Sequence, residues 1–537
     1  MSLAINGNGT IKRLSNISGT KVSLTGAAID LSAGTLFSKE ITANTTLTVS
    51  NIPSNQSIKF VLELIGGIQY TITWFSGIVW EKGIPPKLEN KLVVEFYSGD
   101  GGTTWFGKII ENITADAYWI SILGNVNSDY GRKIKVDSSG NVYIAGDTNS
   151  QGAGLYDALV TKYNSSGTVE WQRTLGGSSN EQGYDITLDS SGNVYITGST
   201  SSQGVGNGDV LIAKYDTSGT LQWQRTLGGA GVDYGYGIAV DLSGNVYITG
   251  YTNSQGAGDQ DVLIAKYDTS GTIQWQRVLG GASIDRGNNI AVDSSGNVYV
   301  SGWTQSQGAG DDDAFIAKYD TSGTLQWQRT LGGASGDYGW GIAVDSSGNV
   351  YVAGQTYSQG AGSSDAFIAK YNTSGTLQWQ KVLGGANLDY GFGIALDSSN
   401  NVYVTGGSEN SNFYYDGLIA KYDTSGTLQW QRLLRGIVDT YIFGEGITVD
   451  SSGNVYVTGY TGSWGFGNDD IFVAKLPNPP IPGIYNKLML VESSLTSATS
   501  TLTSATSTLT SSTSTLTDAA STLISQPSTL LSTTLYK

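Results

Sequence analysis

The sequence predicts a mainly β protein built around a seven-bladed β-propeller with four-stranded blades. The string Asn-Val-Tyr occurs seven times between Asn141 and Asn454, at intervals of 52 residues or, once, 53. Tryptophan recurs at the same spacing, within one residue, from Trp119 to Trp430. A repeat of this length is typical of solenoids, propellers and arrays.

Each repeat contains four short strand-like runs, as the copy that starts at Gly237 illustrates. The runs are 237–241, 245–250, 261–267 and 272–279. They alternate along the chain or are rich in β-branched and aromatic residues, and short turns that contain glycine separate them. Named A to D from the propeller axis outwards, four such strands make one propeller blade.

The two ends of the repeat array complement each other. The array opens at 118–123, which matches strand D, and closes at 470–476, which matches strand C. We therefore expect the strand of Trp119 to complete the seventh blade. A ring closed in this way leaves no open sheet edge along its path, which favours a ring over an open array.

The repeat also resembles a known family. The strings Phe-Ile-Ala-Lys-Tyr-Asp-Thr-Ser-Gly-Thr-Leu-Gln-Trp-Gln, from Phe315, and Val-Asp-Ser-Ser-Gly-Asn-Val-Tyr-Val-Thr-Gly, from Val449, are similar to the bacterial seven-bladed β-propeller repeat family. The resemblance covers residues 116–476 in seven copies. It implies a scaffold and no single activity.

Residues 1–115 lack the repeat. Their alternating runs, such as 46–49, 59–64 and 70–74, predict a small antiparallel β-sandwich. The segment 2–11, and the pair formed by Trp80-Glu81-Lys82-Gly83-Ile84-Pro85-Pro86 and 100–107, resemble bacteriophage tail-fibre proteins. The resemblance implies a virion tail protein in which this domain serves attachment or oligomerisation.

The last segment, 477–537, is rich in serine and threonine. Its apolar residues recur in steps of three and four, which predicts the a/d seam of a helical, parallel coiled-coil stalk. Disorder or another fibrous form is the alternative, because serine and threonine are only middling helix formers. The fibre resemblance favours a homotrimer. The predicted seam residues are Leu488, Leu495, Leu502, Leu509 and Leu516.

The repeats differ mainly on one face of the predicted propeller. The A–B and C–D turns are nearly identical in every copy, whereas the D–A and B–C loops vary. Such divergence, with exposed aromatic rings that can stack on sugars, predicts a glycan-binding face. The alternative is drift, with the rings packed on neighbouring blades. The candidate ligand-binding residues are Tyr236, Tyr251, Trp303, Trp340, Phe392 and Tyr460.

Two positions on this face vary from copy to copy. One follows the glycine of strand B. The other lies two residues before the strand A isoleucine and is occupied, in order, by Arg132, Tyr184, Tyr236, Asn288, Trp340, Phe392 and Glu445.

Acidic residues recur at two further positions. An aspartate stands before strand C in all seven copies, and we expect it to close the B–C loop by accepting backbone hydrogen bonds. Calcium is the alternative, with Asp259, Asp261, Asp311 and Asp313 as oxygen ligands; no other cofactor is expected. A second series, Asp129, Glu181, Asp233, Asp285, Asp337 and Asp389, is interpreted as turn-forming.

Composition excludes several function classes. The chain has no histidine and no cysteine, which removes the usual nucleophile arrangements and most transition-metal sites. A net charge of −16 argues against nucleic acid and anionic membranes as partners. No apolar run is long enough for a membrane span, and the first residues lack a secretory signal, so neither membrane insertion nor secretion is expected.

These observations predict a non-enzymatic virion protein. We expect a bacteriophage tail fibre or tail-tip protein that joins other tail proteins, binds a host surface glycan, and lies in the host cytoplasm before assembly. The alternatives are a cell-surface or secreted bacterial propeller that binds glycan or protein and, less favoured, a polysaccharide-cleaving enzyme. Glu445 is the candidate acid for that enzyme because it is the only acidic residue at its repeat position.

Overall fold

The computed structural model describes the propeller almost completely and the N-terminal region in part. The described ranges are 3–5, 11–13, 22–23, 28–31, 36–41, 43–51, 58–66, 72–76, 78–80, 91–98, 104–113, 119–125, 127–435, 441–462 and 468–476. The heptad segment and its five seam leucines lie outside these ranges, so the coiled coil remains a prediction. The chain forms two compact units, with the boundary at Trp119.

The described part of the N-terminal unit is made of short strands. They are β1 (Leu3–Ile5), β2 (Ile11–Arg13), β3 (Val22–Ser23), β4 (Ala28–Asp30), β5 (Leu36–Ile41), β6 (Thr45–Thr46), β7 (Thr48–Ser50), β8 (Ile58–Gly66), β9 (Ile72–Thr73), β10 (Ile78–Trp80), β11 (Lys91–Ser98) and β12 (Trp105–Ile113). One six-stranded sheet has the order β10-β12-β11-β8-β5-β3.

This N-terminal sheet is mixed. The pairs β3–β5, β5–β8 and β10–β12 are parallel, whereas β8–β11 and β11–β12 are antiparallel. The expectation of an antiparallel domain is therefore wrong for three of these pairs, because alternation along a strand indicates its faces and not its direction. The sandwich arrangement itself stays a prediction. The buried core contains Leu62, Phe96 and Trp105, and the Phe75 ring lies 5.0 Å from that of Phe96.

The propeller consists of seven four-stranded sheets. The first strand is β13 (Trp119–Leu123), and blades one to three contain β14 (Asp129–Val136), β15 (Val142–Thr148), β16 (Asp157–Tyr163) and β17 (Val169–Leu175); β18 (Glu181–Leu188), β19 (Val194–Thr200), β20 (Asp209–Tyr215) and β21 (Leu221–Leu227); and β22 (Asp233–Val240), β23 (Val246–Thr252), β24 (Asp261–Tyr267) and β25 (Ile273–Leu279). Blades four and five contain β26 (Asp285–Val292), β27 (Val298–Thr304), β28 (Asp313–Tyr319) and β29 (Leu325–Leu331); and β30 (Asp337–Val344), β31 (Val350–Thr356), β32 (Asp365–Tyr371) and β33 (Leu377–Leu383). Blade six contains β34 (Asp389–Leu396), β35 (Val402–Glu409), β36 (Tyr415–Tyr422) and β37 (Leu428–Leu434), and blade seven contains β38 (Ile442–Val449), β39 (Val455–Thr461) and β40 (Asp470–Leu476).

The blades close into a ring. The first strand of each blade contacts the first strand of the next, and β38 of blade seven contacts β14 of blade one. The first strands therefore surround the axis. The seventh sheet has the order β13-β40-β39-β38, so β13 supplies its outer strand. The predicted ring, with the strand of Trp119 completing the last blade, is confirmed.

The core lies between neighbouring blades. In one such layer, Tyr195 and Ile212 of blade two pack with Ile238, Val246 and Leu263 of blade three, all of them almost fully buried. Strand B is buried along its whole length in most blades, which explains its dense β-branched and aromatic sequence. Among the described residues, no helix is long and apolar enough to span a membrane.

Candidate functional site

Every inner strand of the propeller contains a β-bulge at the same place. In β22, Gly235 pairs with Gly250 and Gly237 with Thr249, so Tyr236 is left without a partner on strand B. A bulge turns the side chain of the extra residue away from the regular alternation. The seven bulge residues are Arg132, Tyr184, Tyr236, Asn288, Trp340, Phe392 and Glu445, which is the variable series found in the sequence.

The glycine before each bulge residue permits close packing between blades. A Cβ atom on Gly235 would lie 2.4 Å from Oγ1 of Thr197 in the preceding blade. A Cβ atom on Gly444 would lie 2.2 Å from the equivalent Oγ1 of Thr405. The bulge therefore rests directly on the neighbouring blade, and this contact fixes its position near the axis.

The seven bulge side chains meet in one cavity of about 310 Å³ at the end of the axial channel. We call this cavity the mouth. Lys133, Arg286 and Trp303 complete its lining. Its volume is at the lower end of the range for small-molecule sites, about 300–1,000 Å³. The mouth is therefore the size of a small ligand or of the terminal unit of a longer one.

Lys133 separates the mouth from the channel below it. Its Nζ donates to the carbonyl oxygens of Glu445, at 3.2 Å, and Phe392, at 3.5 Å. Burial lowers the pKa of this ammonium group, against the opposing effect of Asp185. A second cavity of about 360 Å³, which Lys135 and Asp185 also line, lies along the inner strands. Lys133 lines both cavities and so forms the floor of the mouth.

Aromatic rings form most of the wall of the mouth. The Tyr184 and Tyr236 rings pack edge to face with centroids 4.9 Å apart, and the Trp340 and Phe392 rings do so at 5.9 Å. Tyr338 stacks against Trp340 at 6.0 Å and supports it from behind. These rings belong to blades two, three, five and six, and all are half-buried. They hold each other in place and keep part of their surface open to the cavity.

The remaining wall carries charge. Arg132 donates from Nε and Nη2 to the two carboxylate oxygens of Asp147, at 3.1 and 3.3 Å, and its Nη1 lies 3.9 Å from Glu445. Burial raises the pKa of the Asp147 carboxyl and that of Glu445, and Arg132 opposes both shifts. The three side chains form a linked ionic group at blades one and seven. Arg132 is therefore already neutralised by protein carboxylates.

Arg286 is placed differently from Arg132. Its guanidinium carbon lies 4.7 Å from the centroid of the Tyr251 ring and 5.3 Å from that of Trp303, within cation–π distance of both. Its Nε donates to Oε1 of Gln260. Within the described ranges, no carboxylate lies within ion-pair distance of Arg286. It is a cation at the mouth for which the described residues supply no counter-ion.

The predicted glycan-binding residues are brought together only in part. Tyr236, Trp303, Trp340 and Phe392 line the mouth. Tyr251 packs behind Tyr236, with ring centroids 5.8 Å apart. Tyr460 stacks on Phe443 at 5.3 Å instead of lining the mouth.

The expectation of exposed rings is wrong for Tyr251 and Trp303, which are 5% and 8% exposed. Both follow the strand B glycine, where the side chain points into the gap between two blades. For these two rings, the packing alternative describes the contacts. Arg286 lies over them and takes the position nearer the cavity.

Sequence reasoning missed several lining residues. Tyr184 and Asn288 stand in the variable series, so the repeat interval was a usable signal for them. Arg286 had a weaker signal: its position, two residues before the bulge, also varies between copies, with Gln182 in blade two. Lys133 follows the bulge at a position where four of the seven copies have glycine.

The recurrent aspartates bind backbone groups. Asp313 accepts hydrogen bonds from the N–H groups of Ala309 and Gly310, at 2.9 and 3.0 Å, and Asp261 accepts one from Gly258 at 3.1 Å. This is the loop-closing role. In the second series, Asp285 accepts from Gly281 N–H at 2.8 Å, as expected of a turn former.

Asp259 and Asp311, the other two calcium candidates, are exposed loop residues. In the part of the chain that the structure describes, no group of three or more acidic side chains is placed to hold a metal ion. The contacts of Asp261 and Asp313 give these carboxylates a structural role.

Comparison with known proteins identifies the repeat. The model of a β-propeller repeat matches seven segments: 119–152, 170–204, 222–256, 274–308, 326–360, 378–414 and 429–467. Residues 346–377 also match a β-propeller domain of unknown function. Residues 119–467 are thus an array of β-propeller repeats.

Two curated proteins are similar to parts of the chain. A WD repeat-containing protein of Acanthamoeba polyphaga mimivirus is 22% identical over 438 residues, with 55% of this chain and 32% of that protein covered. The regulatory protein FlaEY of Caulobacter vibrioides is 30% identical over 173 residues, or 28% of this chain and 18% of that protein. The chain spans about a third or less of the length of these relatives.

Among solved structures, the Pan2 WD40 domain of Neurospora crassa has a TM-score of 0.43 at 8% identity. The match covers 66% of this chain and 95% of that domain.

Proposed function

We propose that this chain, with its seven β-propeller repeats, is a non-enzymatic binding protein that holds a saccharide in the mouth of the propeller. We further propose that it does so at a host surface, as a tail fibre or tail-tip protein of a bacteriophage. The observation that carries the binding role is the convergence of all seven bulge residues on one cavity. Six different residue types occupy the seven bulges, with tyrosine in blades two and three, although the blades are near-copies.

The chemistry of the mouth suits a sugar. The faces of Tyr236, Trp340 and Phe392 offer apolar surface to the C–H face of a pyranose ring. Asn288 Nδ2 and the Tyr184 hydroxyl already donate to Gly339 O and Gln182 Oε1, so these two residues offer their oxygens as acceptors for sugar hydroxyls. Each such contact contributes about 1 kcal/mol, so a single mouth binds weakly. Several copies on one particle would raise the avidity by a factor on the order of 100 or more.

The carboxylates at the mouth support binding over catalysis. Glycosidases need two carboxyl groups placed to act on one bond. Glu445 and Asp147 both face Arg132, and Arg132 binds both oxygens of Asp147. A bidentate ion pair with arginine stabilises the Asp147 carboxylate and so makes it a weaker nucleophile.

The assignment to a phage tail rests on the sequence. The segments 2–11, 80–86 and 100–107 resemble tail-fibre proteins, and the heptads of 477–537 would form an oligomerising stalk. A bacterial surface propeller could use the same mouth. Immunogold labelling distinguishes the two: label on the tails of purified virions supports the phage protein, whereas label confined to the bacterial envelope would contradict it.

A saccharide array tests the binding role directly. We expect the full chain to bind host surface saccharides and the double variant W340A/F392A to lose at least tenfold in affinity, since it removes two stacking faces. F413A is the matched control, because Phe413 is an aromatic residue in an exposed loop that does not line the mouth. Equal binding by all three proteins, with melting curves preserved, would refute the mouth as the site.

A further inference from the structure

We infer that the saccharide bound in the mouth is acidic, and that Arg286 binds its carboxylate. This inference rests on the proposed function, because it names the ligand class of the same cavity. It comes from the difference between the three cations that line the mouth, Arg132, Lys133 and Arg286. Arg132 pairs with carboxylates and Lys133 is held by two backbone carbonyls, whereas Arg286 has no carboxylate partner among the described residues.

Arg132 and Lys133 are mostly occupied by protein groups, although Lys133 keeps one of its three N–H donors. Arg132 binds Asp147 with two donors and faces Glu445. Lys133 donates to two backbone carbonyls and forms the floor of the mouth. An anion that approached either cation would compete with groups already in place. Both cations are therefore less available than Arg286 to an acidic ligand.

Arg286 has donors to spare. Its Nε is used by Gln260, but its terminal nitrogens have no carboxylate partner among the described residues. Tyr251 and Trp303 hold the guanidinium between them, since its carbon lies 4.7 and 5.3 Å from the two ring centroids. A fixed planar guanidinium is suited to a carboxylate, which can accept two parallel hydrogen bonds from it. A partly buried cation gains more from such a partner than one in bulk water does.

The neighbouring residues decide which anion fits. Arg286 shares its cavity with Trp340, Phe392 and Tyr236, so a ligand that reaches the guanidinium also meets aromatic faces. Inorganic phosphate or sulfate would use the cation and leave the rings unused. A sugar with a ring carboxylate, such as a uronic acid, would use both. The expected ligand is therefore a uronic acid or another carboxylate-bearing sugar at the end of a glycan.

The test compares each saccharide with its carboxyl-reduced form, which keeps the ring and removes the charge. The probes are uronic-acid oligosaccharides, their reduced counterparts and inorganic phosphate, each titrated against the full chain by calorimetry. We expect at least tenfold tighter binding of the acidic form. The variant R286Q should abolish this preference while keeping the weaker binding of the neutral form. Glutamine already occupies the equivalent position in blade two, at Gln182, so the repeat tolerates it.

The outcomes separate the inference from the function on which it rests. If acidic and reduced forms bind equally and R286Q changes neither, Arg286 is not an anion anchor, although the mouth remains a saccharide site. If phosphate competes as well as the uronic acid does, the site is a general anion site and the inference is wrong. If no saccharide binds the wild-type chain, the proposed function fails and the inference fails with it. R286K, which keeps the charge and loses the planar fork, should show an intermediate preference.

Discussion

At the scale of single residues, an aspartate opens each A–B turn and accepts hydrogen bonds from residues of the turn and of strand B. Asp241 accepts from the N–H groups of Ser243 and Asn245, both at 2.9 Å, from Asn245 Nδ2 at 2.8 Å and from the Tyr247 hydroxyl at 2.9 Å. Gly244 completes the turn with a φ of 80°. The recurrence of Asp, Asn and Tyr at these positions therefore has a local cause, which is one hydrogen-bonded turn repeated seven times.

The substitution D241N tests the contribution of charge to this turn. Burial raises the pKa of Asp241, but the hydrogen bonds, chiefly from Asn245, outweigh burial and leave the pKa below its ordinary value. Such a carboxyl stabilises the folded state above its unfolded-state pKa, and this contribution is lost as the pH falls through the folded-state pKa. We expect D241N to lower the free energy of unfolding by about 1 kcal/mol at neutral pH.

The pH dependence of the difference in unfolding free energy between D241N and wild type tests the contribution of the Asp241 charge. Urea unfolding of D241N and wild type should converge as the pH drops below about 4, the ordinary pKa of aspartate. The control is D259N, which removes the same charge from an exposed loop and should change little at any pH. A gap between D241N and wild type that stays constant down to acid pH would contradict the role of charge.

The glycine before each bulge allows a second residue-scale prediction. In G444A the new Cβ would collide with Oγ1 of Thr405, which is itself held by a hydrogen bond to Leu418 O at 2.9 Å. We expect a loss of about 1–3 kcal/mol in the free energy of unfolding. G385A is the matched control, because nothing lies within 4 Å of its Cβ position. Equal stability of the two variants would show that the bulge does not need close packing.

At the scale of elements, the ring depends on a strand from the start of the array. β13 occupies the outer place in blade seven, beside β40. Without β13, β40 would be an open edge with unpaired N–H and C=O groups, which templates aggregation. The bulged inner strands are the other decisive elements, since they place one variable side chain per blade in the mouth.

Deleting residues 116–123 tests the closure. We expect the melting temperature to fall by several degrees, or the protein to aggregate, because blade seven loses one of its four strands. A chain that lacks residues 1–115 but keeps β13 is the control and should melt as the intact propeller does. Unchanged melting after the 116–123 deletion would contradict a closing role for β13.

At the scale of the whole molecule, near-identical blades enclose a mouth that is not symmetric. Blades one and seven contribute Arg132 and Glu445, whereas blades two, three, five and six contribute aromatic rings. Blade four contributes Asn288, Arg286 two residues earlier, and the ring of Trp303. A sevenfold scaffold thus carries a single asymmetric site. Such a site gains in avidity when several copies of the chain are joined.

The assembly is tested by light scattering on the intact chain and on a version that ends at Pro480. We expect a trimer for the first and a monomer for the second, because the seam leucines from Leu488 to Leu516 lie beyond the truncation. Monomers in both samples would refute the stalk. Trimers in both would move the interface to the N-terminal unit.

Much of the fold could be predicted from residues that act locally or at a fixed interval. The seven Asn-Val-Tyr strings and the recurring tryptophans predicted the number of blades, and the match of 118–123 to strand D predicted the closure of the ring. The predicted strand C at 261–267 agrees with β24. The predicted strand A begins at Gly237, whereas the observed strand begins at Asp233, because the Gly-Tyr-Gly bulge resembles a loop in the sequence. The direction of the strands in the N-terminal sheet could not be predicted, since the alternation of apolar and polar residues is the same in parallel and antiparallel pairs.

The sequence by itself determined that seven similar blades form a closed ring and that their differences lie on one face. It did so because strand alternation, turns and repeat phase are properties of short segments. Only the tertiary structure decided which variable residues share a cavity, because the bulges that turn them inwards arise from strand pairing and from packing between blades. For the same reason it alone distinguished Arg132, which faces carboxylates of blades one and seven, from Arg286, which lies between aromatic rings and has no carboxylate partner among the described residues. A counter-ion is set by neighbours in space, which lie on the next strand, as Asp147 does, or far along the chain, as Glu445 does.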